Sequence, residues 1–295
     1  MTGIIPLDKG ENITSFFAVN KLRRILGEKK CGHTGTLDPN ATGVLPVAAG
    51  GATRFIELLP DHTKKYEASF RTGFCTDTLD IWGKVISESG KTASIEEING
   101  VLPQFRGEIE QLPPMYSALR KDGVRLYELA RKGVEVEREK RACTVYALEA
   151  GVLPNGDFSL KCECSAGTYI RSLISDIGDL LGCGAVMTSL RRTAACGIEI
   201  GSCRTLDEIN EAAQNGCLND VIIPLERLLA AYPAVEVTAK QGVRFKNGGD
   251  LMRDRLKNLP GSGLVRVYSE GAFLGLGELN ESSESLTVKR VYQEK

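Results

Sequence analysis

The stretch Gly32-His33-Thr34-Gly35-Thr36-Leu37-Asp38-Pro39-Asn40-Ala41-Thr42-Gly43-Val44-Leu45-Pro46 constrains this chain more than any other. It sets one carboxylate, Asp38, among three glycines, three threonines and two prolines. Glycine admits positive φ, while Pro39 removes a backbone donor and pushes Asp38 out of the α region. The run is therefore expected to be neither a regular helix nor a central strand. It reads as a stiff, irregular loop that presents one acid in a fixed pose. An isolated Asp-Pro would mark an Asx turn, with the acid bonded to its own backbone. A turn needs four residues, however, and this run has fifteen. Loops carried on rigid scaffolds are where chemistry concentrates, so Asp38 is a candidate catalytic residue.

The 295 residues suggest one large domain followed by a small one. No run of eighteen apolar residues is present, and the N-terminus lacks the pattern of a secretory signal. Nine cysteines, scattered and without a Cys-x-x-Cys pair, fit free thiols in a reducing cytoplasm. With two histidines, His33 and His62, a zinc site of the usual spacing is not expected. Net charge is −1, so any polyanion partner must be met by a local basic face. Basic residues outnumber acidic ones by ten to seven in 1–72, eight to five in 120–141 and ten to seven in 240–295. That pattern permits such a face and is equally compatible with mixed solvated surfaces.

The periodicities place a short strand at Gly3–Leu7. A helix capped by Thr14 or Ser15 follows, with Val19, Leu22, Ile25 and Leu26 on one face. Tyr66, Ala68 and Phe70 alternate with polar residues, as do Phe158, Leu160, Cys162 and Cys164; both read as strands. Ser94-Ile95-Glu96-Glu97 and Thr205-Leu206-Asp207-Glu208 have the form of capping boxes. Arg125–Lys132 reads as a helix closed by Gly133. Ile170, Leu173, Ile174, Ile177, Leu180 and Leu181 predict an amphipathic helix stopped by Gly182. Strands and helices mix without βαβ alternation, so the expected class is α+β with a mixed, largely antiparallel sheet and flanking helices. From Ala234 onward, short segments at 235–237, 264–268, 273–276 and 286–292 are separated by Gly-rich turns, as in a small barrel.

Several motifs occur together along nearly the whole chain. They are the Gly32–Pro46 run, Asp8-Lys9, Lys65-Tyr66, Thr76-Asp77-Thr78-Leu79-Asp80, Pro114-Met115-Tyr116-Ser117-Ala118-Leu119, Gly167-Thr168-Tyr169-Ile170-Arg171 and Leu190-Arg191-Arg192. In order and spacing they resemble the bacterial tRNA pseudouridine-55 synthases, the TruB type of pseudouridine synthase. The resemblance implies a catalytic domain over 1–232, with an RNA-gripping insertion at 120–141, and a PUA-type RNA-binding domain over 233–295. It implies a cytoplasmic enzyme that isomerises uridine 55 in the T-loop of tRNA. Two departures stand in the first motif, where Gly10 and Asn12 replace the family's usual Pro and Gly. Asn tolerates the left-handed region, so Asn12 is expected to keep a glycine-like turn.

The implied reaction breaks the C1′–N1 bond, turns the uracil and bonds its C5 to C1′. It transfers no electrons to a coenzyme and moves no phosphoryl group, so no cofactor or metal is expected. Asp38 would act as nucleophile or as a general base at C2′. A carboxylate in a closed site is pushed toward protonation unless paired, and the resemblance assigns that pairing to Arg171. Tyr66 would lie over the base and help move a proton from C5. Tyr169 and Leu190 would line the uracil pocket. His33 would stack beside the extruded nucleotide, and Asp80 would contact that nucleotide or order its loop. Lys9, Lys64, Lys65, Arg120, Lys121, Arg125, Arg131 and Lys132 are candidate phosphate contacts. The partner that the resemblance implies is tRNA, gripped at the T-arm and acceptor end, with no obligate protein partner and no membrane. Extruding the uridine is a form of base flipping. A rival reading is an RNA-binding or tRNA-folding module with secondary catalysis. A carboxylate glycosidase would need a second positioned acid, which is not seen.

Overall fold

The computed structural model describes residues 1–257, 259–280 and 284–293. The remaining residues of the expected second domain lie outside it. Strands β1 (Gly3–Lys9), β2 (Cys31–His33), β3 (Thr42–Ala49), β4 (Lys64–Thr72), β5 (Phe74–Thr76), β6 (Val85–Glu88), β7 (Gly107–Gln111), β8 (Arg120–Lys121) and β9 (Val124–Arg125) form the first half. Then come β10 (Arg141–Val152), β11 (Phe158–Cys164), β12 (Ala185–Ala195) and β13 (Ile198–Glu199). The last are β14 (Ala234–Glu236), β15 (Leu251–Met252), β16 (Gly263–Ser269), β17 (Ala272–Leu279) and β18 (Ser285–Val291). The helices are α1 (Ser15–Leu26), α2 (Ile95–Val101), α3 (Leu126–Ala130), α4 (Ile170–Leu180), α5 (Leu206–Gln214), α6 (Leu225–Leu228) and α7 (Ala239–Lys246).

A nine-stranded sheet runs in the order β1-β3-β12-β4-β11-β10-β7, with β2 and β13 paired to its side. Its pairs are antiparallel except for the short β3–β12 contact, so the class is mixed α+β, as expected. On β4 the residues alternate, with Lys64, Tyr66, Ala68, Phe70 and Thr72 buried on one face. That face, with the apolar stripes of α1, α2 and α4, forms the main core. The helix read from 170 to 181 is α4, and Gly182 beyond its end takes a φ of +68°. Thr14 caps α1 by accepting from the Phe17 N–H, and both predicted capping boxes are formed. Asn12 takes a φ of +59°. All nine cysteines are free.

Two expectations are corrected. The Gly32–Pro46 run is not irregular throughout: its ends belong to β2 and β3, leaving 34–41 as the loop. β3 is a central strand despite Gly43 and Pro46. Pro46 lies opposite Pro6 of β1, so the two missing donors fall at one pair of the ladder. Gly43 has a φ of +101° and lies against the Arg192 backbone of β12, where a Cβ would collide with the Arg192 carbonyl. The expected helix 125–132 is shorter, because Arg125 pairs with Arg120 in the β8–β9 hairpin and α3 ends at Ala130.

The C-terminal strands form a curled five-stranded sheet, β14-β16-β17-β18-β15, with its own core of Val235, Phe245, Val265, Val267 and Leu286. Its outer side is not free. Phe273 and Leu276 join a cluster with Phe55, Val44 and Leu229. The Phe55, Phe273 and Tyr292 rings meet with centroids 5.2–6.2 Å apart. Among the described residues no helix is long and apolar enough to cross a membrane.

Candidate active site

Between the acid loop, the β4–β12 face and the start of α4 lies a cavity of about 340 Å³. Its walls include Thr34–Asp38, Lys64, Tyr66, Ser117–Leu119, Ala166–Arg171, Leu190 and Arg192. The strand register explains the grouping. Tyr66 of β4 stands opposite Arg192 of β12, and Ala68 stands opposite Leu190. Period-two alternation then sends Lys64, Tyr66, Leu190 and Arg192 to the same side of the sheet.

Asp38 opens a tight turn in which the Ala41 N–H donates to its carbonyl. Its carboxylate faces the cavity with 40% exposure, and Arg171 Nη2 lies 2.9 Å from its Oδ2. Arg171 itself is buried on the first turn of α4. The pairing is not the two-donor fork expected for arginine and carboxylate. Arg171 Nη1 instead donates to the Thr78 carbonyl at 2.9 Å, and Nη2 also donates to the Tyr116 carbonyl at 2.9 Å. The second neighbouring acid is Asp80, with Oδ2 3.7 Å from Nη1. Thus one guanidinium is shared by two carboxylates and two carbonyls from three chain segments. A buried cation held this way keeps Asp38 in place and leaves part of its carboxylate open to the cavity.

Asp80 lies behind the pair and does not line the cavity. It accepts from the Thr78 hydroxyl at 2.6 Å and the Trp82 N–H at 3.2 Å. Burial pushes its carboxyl pKa up, while Thr78, Arg171 and Trp82 work against that rise. Burial also pushes up the Tyr66 and Tyr169 phenols, so both enter the cavity protonated at neutral pH. Tyr169 is fixed through its backbone: Gln111 accepts from its N–H at 2.9 Å and donates to its carbonyl at 3.2 Å. His33 sits in β2, beside the cavity, with its Nδ1 buried and unpartnered among the described residues. Burial, helped by the charge on Arg192, lowers its pKa and keeps the ring neutral.

Lys9 is a correction. It was expected on the substrate, yet it is wholly buried at the end of β1. Its ammonium donates to the carbonyls of Gly10, Ile13 and Pro39 at 2.8–3.0 Å, which uses all three donors. Burial lowers its pKa to about 8. Lys9 therefore anchors the turn after Asp38 and presents nothing to an RNA phosphate. Lys64 is buried too, which removes it from the surface contacts. Lys65 occupies the opposite face of β4, paired with Glu199 at 3.2 Å. Arg120, Lys121, Arg125, Arg131 and Lys132 are exposed, as phosphate contacts require.

Arg192 has a part in the site that the motif Leu190-Arg191-Arg192 does not by itself reveal. It is fully buried, and its guanidinium donates to the carbonyls of Val44 at 2.6 Å, Gly35 at 3.1 Å and Thr36 at 3.5 Å. It thereby spans the acid loop from below. The signal was its place two residues beyond Leu190 on an alternating strand. Ser15, at the start of α1, holds the loop from the other side, with its hydroxyl bonded to both the N–H and the carbonyl of Leu37 at 2.9 Å. Among the described residues no group of three or more His, Cys, Asp or Glu is placed to hold a metal ion.

Known proteins resemble this chain in sequence and in fold. The family model for the N-terminal domain of TruB family pseudouridylate synthases matches residues 23–170. Residues 171–230 match the C-terminal domain of tRNA pseudouridylate synthase B, and 233–292 match the C-terminal model of pseudouridine synthase II TruB. The class is therefore that of the pseudouridine synthases.

Similar curated proteins narrow this class. A tRNA pseudouridine synthase B from Azoarcus sp. (strain BH72) is 43% identical over 98% of this chain and 94% of its own length. One from Clostridium tetani (strain Massachusetts / E88) is 42% identical over 94% and 96%. Among solved structures, a chain of a Cbf5–Nop10–Gar1 complex superposes with a TM-score of 0.75 at 27% identity, covering 99% of this chain and 85% of that one. This chain belongs to the TruB family of pseudouridylate synthases.

Proposed function

We propose that this enzyme converts uridine 55 in the T-loop of tRNA to pseudouridine, with Asp38 as the group that acts on the nucleoside. The observation that carries this reading is the Asp38–Arg171 pair. It sets a half-open carboxylate against a cavity whose volume suits a small ligand. The similar proteins named tRNA pseudouridine synthase B support tRNA as the substrate.

In this reading the extruded uridine enters between Tyr66 and Leu190, with Tyr169 closing the pocket. Asp38 either bonds to the sugar as nucleophile or takes the C2′ proton as general base. Arg171 holds that carboxylate, and Asp80 holds Arg171. The protonated Tyr66 hydroxyl donates to the base and relays the C5 proton once the new C–C bond has formed. His33, neutral and beside the loop, suits a stacking role.

The exposed cations of the 120–141 insertion would meet T-arm phosphates, and the C-terminal sheet would meet the acceptor end. We take 1–232 as the catalytic domain and 233–295 as the RNA-binding one. A cytoplasmic enzyme without an obligate protein partner completes the reading.

The test is Asp38→Asn, assayed on unmodified tRNA with position-resolved mapping of pseudouridine. The expected result is a loss of about 10⁴-fold in rate or more, with tRNA affinity retained. An undiminished yield of pseudouridine would remove Asp38 from the chemistry. A tRNA-folding module would keep its RNA-remodelling effect in this variant, so the same protein separates the two readings.

A further inference from the structure

Three cationic side chains line the cavity: Arg171, Arg192 and Lys64. Both terminal nitrogens of Arg171 and all three nitrogens of Arg192 already hold an acceptor, from Asp38 and the carbonyls of Thr78, Tyr116, Val44, Gly35 and Thr36. Lys64 differs. It is 7% exposed, and among the described residues its ammonium donates to one acceptor, the His62 carbonyl at 3.1 Å. It lies on the same face of β4 as Tyr66, and its Cε packs close to Gly35 of the acid loop. A side chain at Gly35 would meet that Cε at 3.2 Å. An ammonium has three donors, so two N–H groups remain for what enters the cavity. A buried cation with unmet donors is costly unless a ligand supplies the acceptor.

The reaction supplies such an acceptor. When C1′–N1 breaks, its electron pair stays on the uracil, and the base becomes an anion with charge on N1 and the ring carbonyl oxygens. This holds whether Asp38 bonds to C1′ or removes the C2′ proton. The free base must then turn without escaping until C5 bonds to C1′, C5 gives up its proton and N1 gains one. We propose that Lys64 is a catalytic residue that donates to a carbonyl oxygen of the departing uracil, stabilising the anion and tethering it while it turns. A fixed donor aimed at charge that develops during bond cleavage stabilises the transition state more than the ground state. Burial lowers the Lys64 pKa, which makes the ammonium a readier hydrogen-bond donor to that anion.

The inference rests on the function proposed above, and its test separates the two. Parent and Lys64→Met proteins are compared in single-turnover assays on tRNA that follow consumption of the target nucleoside, uridine or 5-fluorouridine, because a fluorinated C5 has no proton to lose and the second substrate stops once C5 has bonded to C1′. Fluorine stabilises the uracil anion and lessens the need for a cationic partner. The expected result is a slowing of about 10²-fold or more on uridine, a clearly smaller loss on 5-fluorouridine, and unchanged tRNA affinity and melting temperature. Lys64→Arg, which keeps the charge, is expected to recover part of the rate. Equal rates for parent and Lys64→Met, or equal fold losses on both substrates, would overturn the proposal and leave Lys64 a structural residue. Should Lys64→Met not fold, Lys64→Gln is read by the same dependence on fluorine. A parent enzyme that leaves uridine unchanged would overturn the function itself, whatever the variants do.

Discussion

The loop at 34–41 and the segment at 113–140 border one cavity, and they are held in opposite ways. The acid loop is fastened by three buried polar side chains from distant elements: Lys9 from β1, Ser15 from α1 and Arg192 from β12. The proposed insertion at 120–141 is exposed along most of its length, with Leu126 its one buried residue. It meets the site at its root, where Ser117–Leu119 line the cavity and the Tyr116 carbonyl accepts from Arg171. The difference fits the two tasks proposed for these segments. Bond-breaking requires the acid within a fraction of an ångström of its target, whereas gripping an RNA surface requires reach and adaptability.

The comparison is broken most severely by Gly43→Ala. A methyl group there collides with the Arg192 carbonyl and the positive φ is strained, so about 4 kcal/mol or more of stability should be lost. Thermal unfolding checks this, and an unshifted melting temperature would mean that β3 and β12 are not so closely fitted. Lys9→Met comes next. It leaves three carbonyls without their donor and should cost about 2–4 kcal/mol, with catalysis falling more than tRNA affinity, because Pro39 adjoins Asp38. If affinity alone fell, Lys9 would have to reach the RNA after all.

A subtler effect belongs to His33. Its folded pKa is lowered by burial, so the unfolded chain takes up the proton first, near the usual 6.5, as pH falls. The unfolded state then binds more protons, and native stability drops as pH falls below that value. Denaturant unfolding between pH 7 and 5 should show a smaller acid loss for His33→Gln than for the parent. Identical slopes would assign the acid sensitivity elsewhere. The smallest effect is expected in the other region. Arg131→Ala combined with Lys132→Ala should leave stability within about 0.5 kcal/mol and weaken tRNA binding in a salt-dependent way. A measurable loss of folding stability would show that the insertion is braced by more than its root.

The same contrast explains what was legible in the chain. Regular periodicity identified β4, β11 and α4, and the capping residues located the starts of α1, α2 and α5. Asp38, Tyr66, Arg171, Tyr169 and Leu190 do converge on one cavity. Local pattern failed at β3, because Gly43 and Pro46 read as loop residues. Their tolerance there comes from the facing Pro6 and from the close approach of Arg192, which are tertiary facts. It failed again for charge. Lys9 and Lys64 looked like surface cations, and Arg192 carried no role of its own, because charged residues are rarely buried without partners. Their partners are mostly backbone carbonyls, which leave no mark in the sequence. Arg171 was readable as a pair with Asp38, but the carbonyls of Thr78 and Tyr116 that replace the expected fork were not.

The shared aromatic contact of Phe55, Phe273 and Tyr292 has a further consequence for engineering. Deleting the last sixty or so residues would strip the cover from Phe55 and expose a greasy scar on the remaining body, so a shortened protein would report aggregation as readily as lost affinity. Anyone wishing to graft a different module onto residues 1–232 would have to carry that ring trio across the joint, or replace it with another seal.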